Sequence, residues 1–345
     1  MVLKVDASKL NSMSRIRLGI VGAGHIAGSL ASVSQQFKNA EVIAVASRDQ
    51  NKADAFAKSH GIPKSYGSYE ALMADPEIDA VYIATPNSIH KENAIAAAQS
   101  GKHILCEKPL ATTVGDARAM FAAAEANGVH LIEGFLFRFQ AQTQEVLHRL
   151  QNGDFGDVLT VFGGFGFTLT DPANPRWDPA LGGGAMWDVG VYPLNLVRAI
   201  MGKPPTRVTA SAMLTELKVD RTSTALLEYD DGRTATIWCS FEASPLRHAQ
   251  IVGTKAAVEF TYSNNVDTDI ASAYYVKRGK DLGEEFQHNI TKPGTGFVLQ
   301  VDAFTDLIEG RPFYGTTKQE TLENTSTAEA IFKSFIEGKP VAPEF

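Results

Sequence analysis

Cysteine is scarce: Cys106 and Cys239 are the only two in 345 residues, and they form no CxxC pair. No disulfide framework can be built from them, so a reducing compartment, the cytoplasm, is the expected setting. Long apolar runs are missing too. No stretch approaches the roughly 18 residues of a membrane helix, so no membrane partner is expected. Met1–Ser14 lacks the apolar core of a signal peptide and reads as a loose extension, with Met13 as an alternative start. Positive charge is in deficit, with 32 Lys and Arg facing 39 Asp and Glu for a formal net charge of -7. No overall field therefore draws the chain to nucleic acid or anionic lipid, and an anionic ligand must find a local positive site. The eight histidines show neither HxxxH nor HxH spacing beside carboxylates, so no metal site is expected. What is there is an ordinary globular composition, 44% hydrophobic and 21% charged. The length suits two domains at about 150 residues each.

Apolar patterning divides the chain. From Arg15 to Gly134 short apolar runs alternate with longer amphipathic ones, which predicts strand–helix units on a parallel sheet, an α/β arrangement. Strands are expected at 15–21, 41–46, 80–84, 103–106 and 130–133, and helices at 26–37, 52–59, 91–98 and 114–126. Ile26, Leu30, Val33 and Phe37 recur at spacings of four, three and four, which makes one face of a helix. Beyond Gly134 the texture changes. A helix over 140–150 precedes runs of β character at 158–167, 207–214, 223–229, 234–241, 249–252, 257–262 and 273–277, with a hairpin turn at Asp230-Asp231-Gly232. Strands in succession predict a largely antiparallel sheet. Helices over 297–309 and 318–336 close the chain, free to pack back on the first domain. The expected organisation is an extension over 1–14, a first domain over 15–134 and a second, α+β domain over 135–345.

Gly22-Ala23-Gly24-His25-Ile26-Ala27 follows the strand Leu18–Val21 and opens the first helix. That is the context a G-x-G-x-x-G/A loop needs to bind a dinucleotide. Gly22 permits the tight turn, Gly24 lets the backbone approach a pyrophosphate, and Ala27 allows helix and strand to pack closely. The helix start, with His25 and Ile26, supplies the local positive site through its free N–H groups. At the end of the second strand, where an NAD site carries Asp or Glu, stand Ser47 and Arg48. A hydroxyl and a guanidinium suit a 2′-phosphate. Lys52 adds charge and Asp49 opposes it, and NADP is favoured over NAD.

The run Ala84-Thr85-Pro86-Asn87-Ser88-Ile89-His90, the run from Ala98 to Glu107-Lys108-Pro109, and Leu181-Gly182-Gly183-Gly184-Ala185-Met186-Trp187-Asp188-Val189-Gly190-Val191-Tyr192-Pro193 resemble the Gfo/Idh/MocA oxidoreductase family. The last of these is most similar to the dimeric dihydrodiol dehydrogenase and NADP-dependent xylose dehydrogenase branch, and the resemblance spans nearly the whole chain. It implies an N-terminal Rossmann domain with a parallel sheet, and a C-terminal domain whose open, mostly antiparallel sheet joins a homodimer. It implies that Thr85, Pro86, Asn87, His90, Glu107 and Lys108 join the glycine loop in holding the cofactor, with Lys108 beside the nicotinamide and a cis peptide before Pro109. A carbohydrate, polyol or diol/carbonyl substrate is implied as well. Where many relatives carry an Asp and, four residues on, a His, this chain has Asp188 and Tyr192, matching the dihydrodiol and glucose-fructose branch.

Residues four apart on a helix share a face, so Asp188 and Tyr192 are expected in one cleft. A phenol with its ordinary pKa of about 10 is a poor base at neutral pH, and a nearby ammonium brings that value down. Tyr192 is accordingly assigned as general acid/base and Lys108 as its electrostatic partner, with Asp188 holding Lys108 or a substrate hydroxyl. The expected reaction is hydride transfer between nicotinamide and a secondary alcohol or carbonyl. Two alternatives stand beside it: glycoside hydrolysis with retained NAD, and a redox sensor that binds NADP without turnover. Arg138 is either a substrate or cofactor contact or a structural salt bridge. Arg176 and Trp177 wall the cleft, Trp177 either stacking on substrate or packing a domain junction. Cys106, two residues from Lys108, is expected close enough for a thiol reagent to block the cleft.

Overall fold

Six parallel strands form the first sheet: β1 (Ile16–Val21), β2 (Ala40–Ala46), β3 (Lys64–Tyr66), β4 (Ala80–Ile83), β5 (His103–Glu107) and β6 (Leu131–Gly134), in the order β3-β2-β1-β4-β5-β6. These come from a computed structural model that describes residues 15–262, 273–279, 286–290 and 295–345. The expected extension over 1–14 lies outside the described residues. A parallel sheet is covered by helices on both faces, so its strands are apolar on both sides, and β4 is buried along its whole length. Helices α1 (His25–Ser32), α2 (Gln50–His60), α3 (Tyr69–Met73), α4 (His90–Gln99) and α5 (Val114–Ala126) make the crossovers. Strand order reverses between β1 and β4, and the crevice beyond their carboxyl ends is where such sheets take a dinucleotide.

Two local readings change. The helix expected over 26–37 stops at Ser32, and a 3₁₀ turn at Ser34–Gln36 follows. Leu30, Val33 and Phe37 are still buried, but Ile26 is 36% exposed at the helix start. The segments β3 and α3, three and five residues long, escaped the pattern because neither is long enough to display a period.

The second sheet holds β7 (Val158–Thr168), β8 (Arg207–Leu214), β9 (Asp220–Glu228), β10 (Thr234–Ser240), β11 (Glu242–Gly253), β12 (Ala257–Phe260), β13 (Ala273–Lys277) and β14 (Phe286–Ile290), in the order β14-β13-β12-β11-β7-β10-β9-β8. Every described pairing is antiparallel except that of β7 with β10. The strand expected over 249–252 starts at Glu242, because Pro245, Arg247 and His248 obscure its alternation. One face is covered by α6 (Ala141–Gln151), a π-helical turn at Met186–Gly190 and α7 (Val191–Met201), which bury Val161, Ile237 and Ile251 with Leu194 and Val197. The other face leaves Phe162, Met213, Leu226 and Leu246 exposed. Helix α8 (Gly296–Ile308) then returns to the first sheet, packing Phe297, Val301 and Phe304 with Leu18 and Ile20. Helix α9 (Lys318–Glu337) starts on a Thr317/Glu320 capping box and closes over α7 and β8.

Candidate active site

Gly22 turns the chain out of β1 with φ 107°, and a Cβ there would lie 2.7 Å from the Ala84 carbonyl oxygen, so only glycine fits. At Gly24 a Cβ would meet nothing within 4 Å, which leaves an open cradle before α1. The start of α1 has no side-chain cap and no acidic residue in its first turn, so its N–H groups remain for an anion. Ala27 is fully buried, whereas His25 is exposed. An open cradle, uncapped N–H groups and no competing carboxylate fit the pyrophosphate of a dinucleotide. At the end of β2, Ser47 is buried and Arg48 is exposed beside the Tyr69 hydroxyl. Asp49, read as opposing a 2′-phosphate, is engaged elsewhere: its carboxylate accepts from Asn51 N–H at 2.9 Å and Lys52 N–H at 3.4 Å, capping α2. The Lys52 side chain is exposed on the first turn of that helix.

A cavity of about 560 Å³ separates this helix start from the second sheet. His25, Ile26, Thr85, Asn87, Glu107 and Lys108 line it from the first half of the chain, and Phe165, Phe167, Asn174, Arg176, Asp188 and Tyr192 from the second. Lys108 follows the end of β5 and precedes a cis peptide to Pro109. Its Nζ donates to the Asp188 carbonyl at 2.8 Å and to Asp188 Oδ1 at 3.0 Å, and lies 5.0 Å from the Tyr192 ring centroid. Sequence chemistry explains the free carbonyl. In a π turn the Asp188 oxygen would pair with the N–H five residues on, and that residue is Pro193, which has none. The start of the turn is pinned by the Met186 N–H, which donates to Asp220 Oδ2 at 2.8 Å. Arg176 Nε donates to the other Asp188 oxygen at 2.6 Å. Edge-on contacts with Phe165 at 5.4 Å and Phe135 at 5.7 Å fix the Tyr192 ring. Asp188 and Tyr192 thus share one cavity although the turn between them is wider than an α-helix.

Burial works against the charge on Lys108, but Asp188, Tyr192 and Glu107 outweigh it and raise the ammonium pKa above its ordinary value. Burial likewise opposes ionisation of Asp188, and the cations of Lys108 and Arg176 overcome it, holding the carboxyl below its usual range. Tyr192 behaves differently. Burial dominates and pushes its phenol up to about 12, with Lys108 pulling the other way. This corrects the expectation of a lowered phenol pKa: the ammonium sits over the ring face, and its hydrogen bonds go to Asp188. Glu107, raised by burial, accepts from the Tyr82 hydroxyl at 2.6 Å.

The remaining residues singled out from sequence divide between the cavity and the framework. Asn87 Nδ2 donates to the Gly182 carbonyl at 3.0 Å, joining the two halves beside exposed Pro86. His90 is fully buried, its ring nitrogens each 2.9 Å from a carbonyl oxygen, those of Pro109 and Thr85. It braces the loop carrying Lys108 and does not line the cavity. Arg138 is not brought to the cavity either. Its guanidinium is buried against Asn195 Oδ1 at 3.0 Å and Glu320 Oε1 at 3.2 Å, the salt-bridge reading. Trp177 packs edge-on against Phe241 at 5.1 Å and donates to the Asp171 carbonyl, contacts that lie within the second half of the chain, and it is not among the residues that line the cavity. Cys106 lies in the core of the first sheet, fully buried with its thiol pKa raised by burial, out of the cleft where a reagent was expected to reach it. Among the described residues no three His, Cys, Asp or Glu side chains converge as a metal site would require, and no helix is long and apolar enough to cross a membrane. Arg247, on β11 beside Phe165, was missed, because no motif or spacing marks it.

Residues 16–135 match the model of an oxidoreductase family with an NAD-binding Rossmann fold, and residues 143–259 match the GFO/IDH/MocA C-terminal domain. The chain belongs to the Gfo/Idh/MocA oxidoreductase family. The resemblance carried by the Glu107-Lys108-Pro109 and glycine-rich runs therefore holds. D-xylose 1-dehydrogenase (NADP(+)) 2 of Haloferax volcanii is 34% identical over 325 residues, covering 94% of this chain and 98% of that one. Trans-1,2-dihydrobenzene-1,2-diol dehydrogenase of Mus musculus is 36% identical over 248 residues, covering 71% and 74%. Among solved structures, aldose-aldose oxidoreductase from Caulobacter crescentus, complexed with glycerol, has a TM-score of 0.84 at 28% identity, covering 95% of this chain and 99% of that one.

Proposed function

We propose that this family member is an NADP(H)-dependent oxidoreductase acting on a secondary alcohol or carbonyl of a sugar, polyol or cyclic diol. The observation that carries the reading is the meeting of Lys108, Asp188 and Tyr192 in a cavity whose opposite wall is the start of the glycine-loop helix. A xylose dehydrogenase and a dihydrodiol dehydrogenase among the relatives support the substrate class. NADP(+) in the name of the first, together with exposed Arg48 at the end of β2, supports the cofactor.

The nicotinamide, when bound between the glycine loop and Lys108, supplies or accepts the hydride. The chain's own residues manage the proton. In the reducing direction Tyr192, held protonated by its high pKa, donates its hydroxyl proton to the substrate oxygen as negative charge develops there, and Lys108 stabilises both that oxygen and the phenolate left behind. In the oxidising direction Tyr192 takes the proton from the substrate hydroxyl. Asp188, kept ionised by Arg176, holds the Lys108 ammonium at the cavity wall. The exposed apolar side chains Phe162, Leu226, Met213 and Leu246 on one sheet face support a homodimer through that open face.

The test is to follow NADPH absorbance with sugars, deoxy-ketosugars, 2-oxoaldehydes and trans-dihydrodiols in both directions. Turnover with net cofactor change is expected. Cofactor binding without turnover would return the chain to the sensor reading. Release of a leaving group with retained NAD and no net cofactor change would point to glycoside hydrolysis. Sedimentation at micromolar concentration reads the dimer.

A further inference from the structure

Among the described residues Arg247 is a cation without a counter-ion, packed against Phe165, which lines this cavity. It stands on β11 opposite Phe165 of β7, and residues paired across strands share a sheet face. Its guanidinium carbon lies 5.2 Å from the Phe165 ring centroid. Phe165 lines the cavity and lies 5.4 Å from the Tyr192 ring. Arg247 is only partly exposed, yet among the described residues its guanidinium has no hydrogen bond and no ion pair. Arg176, which lines the cavity, shows the contrast. Arg176 packs 6.0 Å from the Phe167 ring and gives its Nε to Asp188. Two guanidiniums therefore pack against two phenylalanines of one strand, and among the described residues only one of them is neutralised.

The charges that line the cavity balance one another, Lys108 and Arg176 facing the carboxylates of Asp188 and Glu107, which leaves Arg247 as a further positive charge beside them. A guanidinium offers five donors and no acceptor, and removing it from bulk water without a partner is unfavourable. Its planar fork matches a carboxylate or phosphate bidentately.

We propose that Arg247 is a specificity-determining residue that binds an anionic group of the substrate, a carboxylate or a phosphate ester, remote from the carbon that exchanges hydride. The inference rests on the reading that this cavity is the substrate site, and it narrows the substrate class to sugar acids or sugar phosphates. The Phe165 ring lies under the guanidinium, whose N–H groups have no partner among the described residues. The same positive charge draws the Tyr192 phenol downward, so recognition and proton transfer feel one field.

The test compares wild type with Arg247→Met and Arg247→Lys, measuring kcat and KM with NADP+ for D-xylose, D-glucuronate and D-xylose 5-phosphate. Calorimetric titration of D-gluconate and of D-glucose 6-phosphate into the NADP+-saturated protein gives affinity without turnover. Wild type is expected to favour an anionic probe over the neutral sugar. Arg247→Met should raise the KM of the anionic substrate about tenfold more than that of D-xylose, and Arg247→Lys should recover part of the loss. Preference for the acids alone or for the phosphates alone identifies which anion is read. Equal shifts in the neutral and anionic KM values, or none in either, overturn the proposal. If no sugar is turned over, the proposed reaction falls while calorimetry still decides this inference. Anion binding weakened in Arg247→Met upholds it, and no binding, or equal binding in both proteins, overturns it. Arg247→Gln replaces the Met variant should that one fail to fold.

Discussion

The glycine loop and the Lys108–Asp188–Tyr192 cluster face the same cavity but are built in opposite ways. The loop is one run, Gly22 to Ala27, and works through backbone N–H groups and through side chains it lacks. The cluster joins side chains 80 positions apart, half-buried, each charge held by another. Oriented dipoles bind an anion without burying a charge of the protein, so the loop can stay open to solvent. Moving a proton away from water requires ionised groups in the interior, and these persist only when paired. Binding on the cofactor side should therefore be graded and sensitive to salt, whereas the cluster should fail as a unit.

The largest effect is expected at the cation that joins the cluster. Lys108→Met leaves Asp188 with Arg176 alone and removes the charge over Tyr192. Turnover should fall by about 10³, and unfolding free energy by about 1 kcal/mol, because one member of a half-buried pair is lost while Arg176 still holds Asp188. Steady-state kinetics and denaturant unfolding check both. Turnover within tenfold of wild type would mean that the cluster is not a unit.

Tyr192→Phe comes next. It should lower turnover at least about a hundredfold while leaving NADPH affinity, read by fluorescence quenching, nearly unchanged. The pH profile carries the sign. With the phenol pKa pushed up to about 12, the protonated form prevails at neutral pH. Reduction, which consumes that form, should be flat through neutrality. Alcohol oxidation, which needs the phenolate, should gain up to about tenfold per pH unit and still be rising near pH 10. A plateau near neutrality in the oxidation profile would show that another group takes the proton.

The two regions also differ in how far the sequence discloses them. The loop was legible because strand, glycines and helix are consecutive, and each glycine answers a local steric demand. For the cluster, motif resemblance named Lys108, Asp188 and Tyr192, and their spacing placed two of them in one cleft. It did not disclose the π turn, which leaves a carbonyl for Lys108, nor the burial that raises the phenol. Those depend on neighbours distant in the chain. The same holds for Arg138, whose partner Glu320 lies 182 positions away. Cys106 was misjudged for a related reason: Lys108 lies beyond the end of β5, where strand alternation no longer relates the two. Ile26 joined the apolar face of α1 by period, yet the first residues of that helix face the cavity.

The smallest effects belong to the cofactor's distal end. Arg48 is exposed, so its attraction to a 2′-phosphate is screened by solvent and salt. Arg48→Ala should raise the Michaelis constant for NADP about tenfold at low ionic strength and leave that for NAD within about twofold. The gap should narrow as salt is added, whereas the Tyr192→Phe defect should not respond to salt. Asp49 refines the point. Its carboxylate caps α2, and Asn caps as well as Asp, so Asp49→Asn keeps the helix start while removing one negative charge near Arg48. A fall of about twofold in the NADP constant, with unchanged thermal unfolding, is expected. A rise instead would mean that Asp49 organises the site for the 2′-phosphate, and that this end of the cofactor is held, like the cluster, by paired side chains.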